Sequence, residues 1–207
     1  MSIESNIKTV QQRINAAAKE AGRNPEEIKL IAVSKTKPVS DVLEAFDAGM
    51  CDFGETRPQE LAEKYSVLPQ ARWHLIGQLQ RNKVKYIIDK VSMIHSVDSV
   101  ELAAEIDRRA GSHGLVKDIL LEINIGGEES KGGIAPSELI ETAKAVSGLE
   151  NVRIRGLMTI PPVNCDEKYF ASMQELFENS KQKYSFLSGM DTLSMGMSGD
   201  YATAVKY

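Results

Sequence analysis

"IKLIAVSKTKPVSDVLEAFDAGMCDFGE", Ile28 to Glu55, decides how the rest of the chain is read. Its opening run, IKLIAVS, is short, apolar and β-branched, the composition of a strand. VSDVLEAFDAG then carries apolar residues at helical spacing, with Ser40 or Asp41 near its start and Gly49 as a stop. CDFGE returns to strand character. Two strands joined through a helix pair in parallel, because parallel neighbours need a long crossover connection.

The same unit recurs along the chain. CDFGE leads into a helix around PQELAEKYSVL, RWHLIGQ into NKVKYIID, and VSMIHSVD into SVELAAEIDRRAGSHG. VKDILLEIN precedes APSELIETAKAVSG, where Pro136 suits a first helical turn. VRIRGLMTI precedes EKYFASMQELFENSKQKY, and TLSMG precedes a helix starting at DYATAVKY. Ahead of them, residues 3–21 place Ile3, Ile7, Val10, Ile14, Ala17, Ala18 and Ala21 on one helical face, with Gly22 and Asn24-Pro25 as the stop. Repeated strand–helix units predict an α/β fold with a parallel sheet, and their number favours a (β/α)8 TIM-type barrel over a doubly wound sheet. Seven units span 28–207, so the eighth strand is expected to be missing here. Either the opening helix covers the gap between strands one and seven, or the sequence continues past Tyr207. Residues 1–207 are expected to form a single domain.

The 207 residues carry a net charge of −4. They offer no broad positive field, which argues against nucleic-acid binding. The N-terminus lacks a secretory apolar core, and no run reaches membrane-spanning length, so a cytoplasmic protein without membrane partners is expected. Cys51 and Cys165 are far apart and are read as small buried hydrophobes. His74, His95 and His113 show no metal-type spacing, so no metal site is expected; His74 reads as a hydrogen-bonded loop residue. Glu55, Asp98 and Glu122 form no recognisable acid/base pair in the sequence.

In a barrel of this kind the working residues sit where strands end. Those positions bring forward Ser34, Lys35 and Lys37; Gly54, Glu55, Thr56 and Arg57; His74, Gly77 and Gln78; His95 and Asp98; Asn124; Met158 and Thr159; and Ser194 to Ser198. Lys35 shares strand parity with Ile31 and Val33, which points it into the barrel mouth. Partial desolvation and the nearby charge of Lys37 would favour its neutral, nucleophilic amine, able to attack a carbonyl. The alternative is a lysine that reaches water or pairs with Glu55. SMGMSGD, Ser194 to Asp200, is either a phosphate-holding turn at a helix start or an ordinary helix cap. NIGGEESKGG lacks a nucleotide P-loop and reads as a mobile loop with Lys131 solvated.

Together, LIAVSKTKP, FGETRPQE, WHLIGQLQRNK, HSVDS, INIGGEESKGG, IRGLMTIPP and LSMGMSGD resemble, in order and spacing, the pyridoxal phosphate homeostasis protein family. The resemblance covers essentially the whole chain. It implies a barrel similar to the N-terminal domain of alanine racemase that binds pyridoxal 5′-phosphate (PLP). It places the family's Schiff-base lysine at Lys35, its phosphate-binding turn at Ser198 and Gly199, and a strand end near the cofactor at Met158. Thr56 stands where the family usually has asparagine in this cofactor-binding segment. The family also continues into a last strand with an Arg-[Ile/Leu]-Gly-Thr motif that completes the phosphate cup, and this sequence stops before it. A role in PLP (vitamin B6) and amino-acid homeostasis follows from the resemblance, without catalysis; apo PLP enzymes are the expected recipients, and a monomer is expected because the racemase's second domain, its reason to dimerise, is not in this sequence. The alternatives are a PLP-dependent racemase or decarboxylase of the same fold and a cofactor-free aldolase using Lys35. A racemase needs a second acid/base from a further domain.

Overall fold

The computed structural model describes residues 2–128, 131–162 and 165–207. Helix α1 (Ile3–Glu20) opens the chain behind Ser2, whose side chain accepts from the Ser5 N–H. Strands and helices then alternate as β1 (Ala32–Val33), α2 (Val39–Asp47), β2 (Asp52–Glu55), α3 (Pro58–Val67) and β3 (Arg72–Leu75). They continue as β4 (Val91–Val97), α4 (Val100–Ser112), β5 (Lys117–Glu122), α5 (Leu139–Ser147), β6 (Val152–Met158), α6 (Lys168–Lys183), β7 (Thr192–Ser194) and α7 (Tyr201–Ala204).

All seven strands are parallel and lie in the order of the sequence, from β1 to β7. A doubly wound sheet reverses its strand order part-way; this one never does, which is barrel topology. Curvature follows from one contact. In a flat sheet β4 and β7 would lie about 14 Å apart, three strand spacings. Here the Ser194 hydroxyl of β7 is 3.0 Å from the His95 ring of β4, so the sheet wraps around its own interior. The remaining gap lies between β1 and β7. Helix α1 packs against both α2 and α7, the helices that follow these two edge strands. Ile14, Ala17 and Ala18 of α1 meet Val205 beyond α7, and Leu30 ahead of β1 joins the same cluster. The amphipathic opening helix thus lies across the open side.

The main core fills the space between the sheet and its outer helices. Phe53, Trp73, Leu75, Ile94, Ile119 and Leu121 supply the outward strand faces, and Leu61, Leu102, Ile106 and Ala143 the facing helices. The alternate strand residues face inward: Ile31 and Val33 flank the Gly54 α-carbon, and Gly54 pairs with His74. At the β6–β7 seam, a Cβ on Gly156 would lie 1.7 Å from the Thr192 carbonyl oxygen, so the two backbones approach closer than any side chain permits.

Several expectations change in detail. The first strand is two residues long, where IKLIAVS suggests seven, because it is an edge paired on one side only. NKVKYIID forms a six-residue 3-10 helix, Arg81–Tyr86, and not an α-helix, while Val84, Ile87 and Ile88 still bury its apolar face. Cys51 is exposed and Cys165 half-buried. Cys51 precedes β2 in the turn after α2, outside the packed layers.

Candidate functional site

At the C-terminal rim, β1 ends in a turn, Ser34 to Lys37, closed by the Lys37 N–H donating to the Ser34 carbonyl at 3.0 Å. Lys35 sits in this turn and is exposed, so the partial desolvation expected from its position is not present. The rim is open at this edge. Nor does Lys35 pair with Glu55. That carboxylate, 0% exposed, accepts from the Ser34 hydroxyl at 2.7 Å and from the Lys64 ammonium at 2.6 Å. Lys64 on α3 is only 4% exposed and also donates to the Ser34 carbonyl (2.6 Å) and to Glu60 (2.8 Å).

The inner face holds a second network. Arg72 grips Asp52 with two hydrogen bonds of 2.9 and 2.6 Å. Asp52 contacts His74 Nε2 at 3.0 Å, His74 Nδ1 contacts His95 Nε2 at 3.0 Å, and His95 Nδ1 contacts Ser194 Oγ. Burial alone would raise the Asp52 pKa, but hydrogen bonds from Arg72 and His74 and the charge of Lys29 outweigh it and hold the carboxyl far below its usual range. Burial, then His74 and Lys29, push His95 down to about 3, so it is neutral. Asp52 accepts only, so His74 Nε2 carries a proton toward it. Neutral His95 carries one ring proton, so it donates to one of its two neighbours, His74 and Ser194, and accepts from the other. His74 is therefore a strand residue in a relay, not a loop histidine.

Glu122, Met158 and Ser194 form one row across β5, β6 and β7. Met158 is buried and apolar. Burial and the neighbouring Asp98 carboxylate raise Glu122 to about 7, an acidic pairing not visible in the sequence. Glu122, with Ile76, Gly77, Gln78, Asn124 and Lys131, lines a cavity of about 240 Å³. Lys131, read as solvated, is ion-paired to Glu128 at 2.5 Å and borders this cavity. Part of the NIGGEESKGG stretch, residues 129–130, lies outside the described residues. Thr56 follows β2 and is backed tightly: a Cβ on Gly77 would come within 2.6 Å of the Thr56 α-carbon and carbonyl oxygen.

Beyond β7, Ser198 and Gly199 form an exposed turn before α7. That helix is four residues long, too short for the helix-end field expected of it. Met197 donates its N–H to the Asp200 carboxylate, and Tyr201 donates to the Met197 carbonyl. Among the described residues, the amides of Ser198 and Gly199 and the Ser198 hydroxyl have no partner within the chain. Nothing lies within 4 Å of where a Gly199 Cβ would be.

A rim with a free amine at one edge strand and free N–H donors at the other invites comparison with known proteins. The family described as "Alanine racemase, N-terminal domain" matches residues 2–206. A pyridoxal phosphate homeostasis protein of Aquifex aeolicus is 41% identical, over 97% of this chain and 90% of that protein. A protein of unknown identity from Bifidobacterium adolescentis superposes with a TM-score of 0.92 at 34% identity, covering 99% of this chain and 89% of that one. PipY of Synechococcus elongatus, solved with PLP bound, superposes with a TM-score of 0.81 at 35% identity, covering 95% and 92%. The fold is that of the alanine racemase N-terminal domain, with seven of the barrel's parallel strands. Within that class, the chain belongs to the pyridoxal phosphate homeostasis protein family.

Proposed function

We propose that this protein binds PLP at the barrel rim and holds it as a Schiff base on Lys35, serving PLP and amino-acid homeostasis rather than catalysis. The supporting observation is the donor set. Bound PLP supplies an aldehyde, with which a primary amine condenses and releases water. Lys35 supplies that amine at the end of β1, in a turn on the inner-face register. Two unpartnered amides and the Ser198 hydroxyl at Ser198–Gly199 are the donors a phosphate needs, and open space at Gly199 admits it. Val33, 47% exposed beside Lys35, and buried Met158 give apolar surface suited to a planar ring, and Thr56 borders the same rim. The residues fit the group.

The relatives carry the name of homeostasis proteins. A carrier acting in the cytoplasm as a single-domain monomer and supplying apo-enzymes is the reading that follows. Among the described residues, no helix is long and apolar enough to cross a membrane. Titration of the full chain with PLP tests the proposal: a visible absorption band is expected, fixed by borohydride and lost in Lys35→Ala. An unchanged band in Lys35→Ala overturns it.

A further inference from the structure

The turn that carries Lys35 is held from α3 on both sides of that residue. The peptide group before Lys35 presents its carbonyl, that of Ser34, to the Lys64 ammonium at 2.6 Å. The peptide group after Lys35 presents the Thr36 N–H to Glu60 Oε1 at 2.7 Å. Glu60 and Lys64 are one helical turn apart and are themselves joined at 2.8 Å. A single ion pair therefore fixes both peptide planes that orient the Lys35 side chain. Lys64 is in turn anchored by buried Glu55, which also accepts from the Ser34 hydroxyl, and the Ser34 N–H donates to the Gly54 carbonyl at 3.0 Å.

Thr36 shows that the turn is imposed. Its φ is +64°, a left-handed conformation that β-branched residues avoid, and it is the one such non-glycine residue among those described. Without an outside acceptor for its N–H, the turn would relax toward ordinary backbone. The Lys35 side chain would then swing with it. A lysine in an exposed turn otherwise samples many directions, and a held backbone narrows them.

We infer that Glu60 and Lys64 are positioning residues for the Lys35 amine. This rests on the proposed role of Lys35 but makes a separate claim, that the bracket sets the direction and availability of the amine. Neither residue touches the aldehyde.

The test uses the full chain and two readouts. The first needs no PLP: trace acetylation with acetic anhydride, followed by peptide mass spectrometry, gives the labelling ratio of Lys35 to Lys37, two residues apart in one exposed turn. Wild type is expected to show a ratio well away from one, and Glu60→Ala to move it at least threefold toward one. The second is Schiff-base formation with pyridoxal and with PLP. Glu60→Ala is expected to weaken both by the same factor, about five- to tenfold, the net effect of losing one ordinary hydrogen bond. Glu60→Gln keeps an acceptor oxygen for Thr36 and is expected to stay within about twofold of wild type in both readouts. Melting temperatures confirm folding of each variant, and the doubly substituted Glu55→Gln, Lys64→Met chain removes the ammonium without stranding a buried charge. It is expected to behave like Glu60→Ala. A wild-type ratio of one, or a Glu60→Ala chain matching wild type in labelling, overturns the positioning role. An absent Schiff base in wild type overturns the PLP proposal instead, while the labelling ratio still decides the bracket. A loss with PLP alone, pyridoxal unaffected, assigns the effect to the phosphate turn and also overturns it.

Discussion

In Glu122→Gln, the half-buried carboxyl beside Asp98 is replaced by an amide of the same shape that does not titrate. The carboxyl is raised to about 7 in the folded chain, first by burial and then by Asp98, against 4.5 as its ordinary value. The sign follows from proton counting. Between those two values the unfolded chain ionises this group while the folded chain keeps it protonated, so stability falls as pH rises through the window and stays low above it. Integrating from about pH 5 to about pH 8 gives a loss of ~2.5 kcal/mol from this group, and ~1.2 kcal/mol if the shift is one unit smaller. His95 acts in the opposite direction. Its value is depressed to about 3, so its contribution is present above its ordinary 6.5 and is lost as pH falls toward 3. The two slopes offset each other over part of the range, and wild type alone would show a deceptively flat profile. The informative quantity is the difference between wild type and Glu122→Gln in urea denaturation at the two pH values, in which His95 cancels. The variant is expected to gain about 1 to 3 kcal/mol on wild type between about pH 5 and about pH 8. A difference that does not change with pH would refute a protonated Glu122 in the barrel mouth.

Three further outcomes follow from the packing. Gly156→Ala places a Cβ against the Thr192 carbonyl and forces β6 from β7, for an expected loss of at least ~3 kcal/mol by urea denaturation; near-neutral behaviour would contradict the seam. Lys64→Met strands Glu55 without a counter-charge and is expected to cost about 3–5 kcal/mol, with much of that recovered when Glu55→Gln is added; a double-mutant cycle without coupling would contradict the buried pair. Gly77→Ala pushes on the Thr56 backbone and is expected to weaken PLP binding several-fold more than it lowers the melting temperature would explain, measured by absorbance titration beside calorimetry.

The strands could be located from sequence because each apolar or β-branched run is followed by helical spacing, and parallel pairing then leaves little freedom in topology. The rim could be located for the same reason: Thr56 and Met158 fall at strand ends, and Lys35 and Ser198 in the turns beyond β1 and β7, once the strands are placed. What depends on three-dimensional closure was hidden. Lys64 reads as one more solvated helix lysine, since its burial is created by Glu55 and the Ser34 carbonyl, nine and thirty residues away in sequence. The Asp52–His74–His95–Ser194 relay spans four strands, and only inward parity at each position hinted at it. Asp98 and Glu122 belong to the ends of different strands, β4 and β5, which only the pairing of those strands brings together. Cys51 misled because its residue type favours burial, whereas its place in a turn ahead of β2 does not. The Arg81–Tyr86 segment kept the apolar spacing of a helix without its length, so periodicity alone placed its buried side but not its helix type.

Lys35 is the residue proposed to capture the aldehyde. Full-length protein incubated with PLP, reduced with borohydride, digested and mapped by mass spectrometry reads this directly. One phosphopyridoxyl adduct is expected, carried by the peptide containing Lys35 and localised to that residue. An adduct on Lys37, Lys64 or Lys131 with Lys35 unmodified would contradict it.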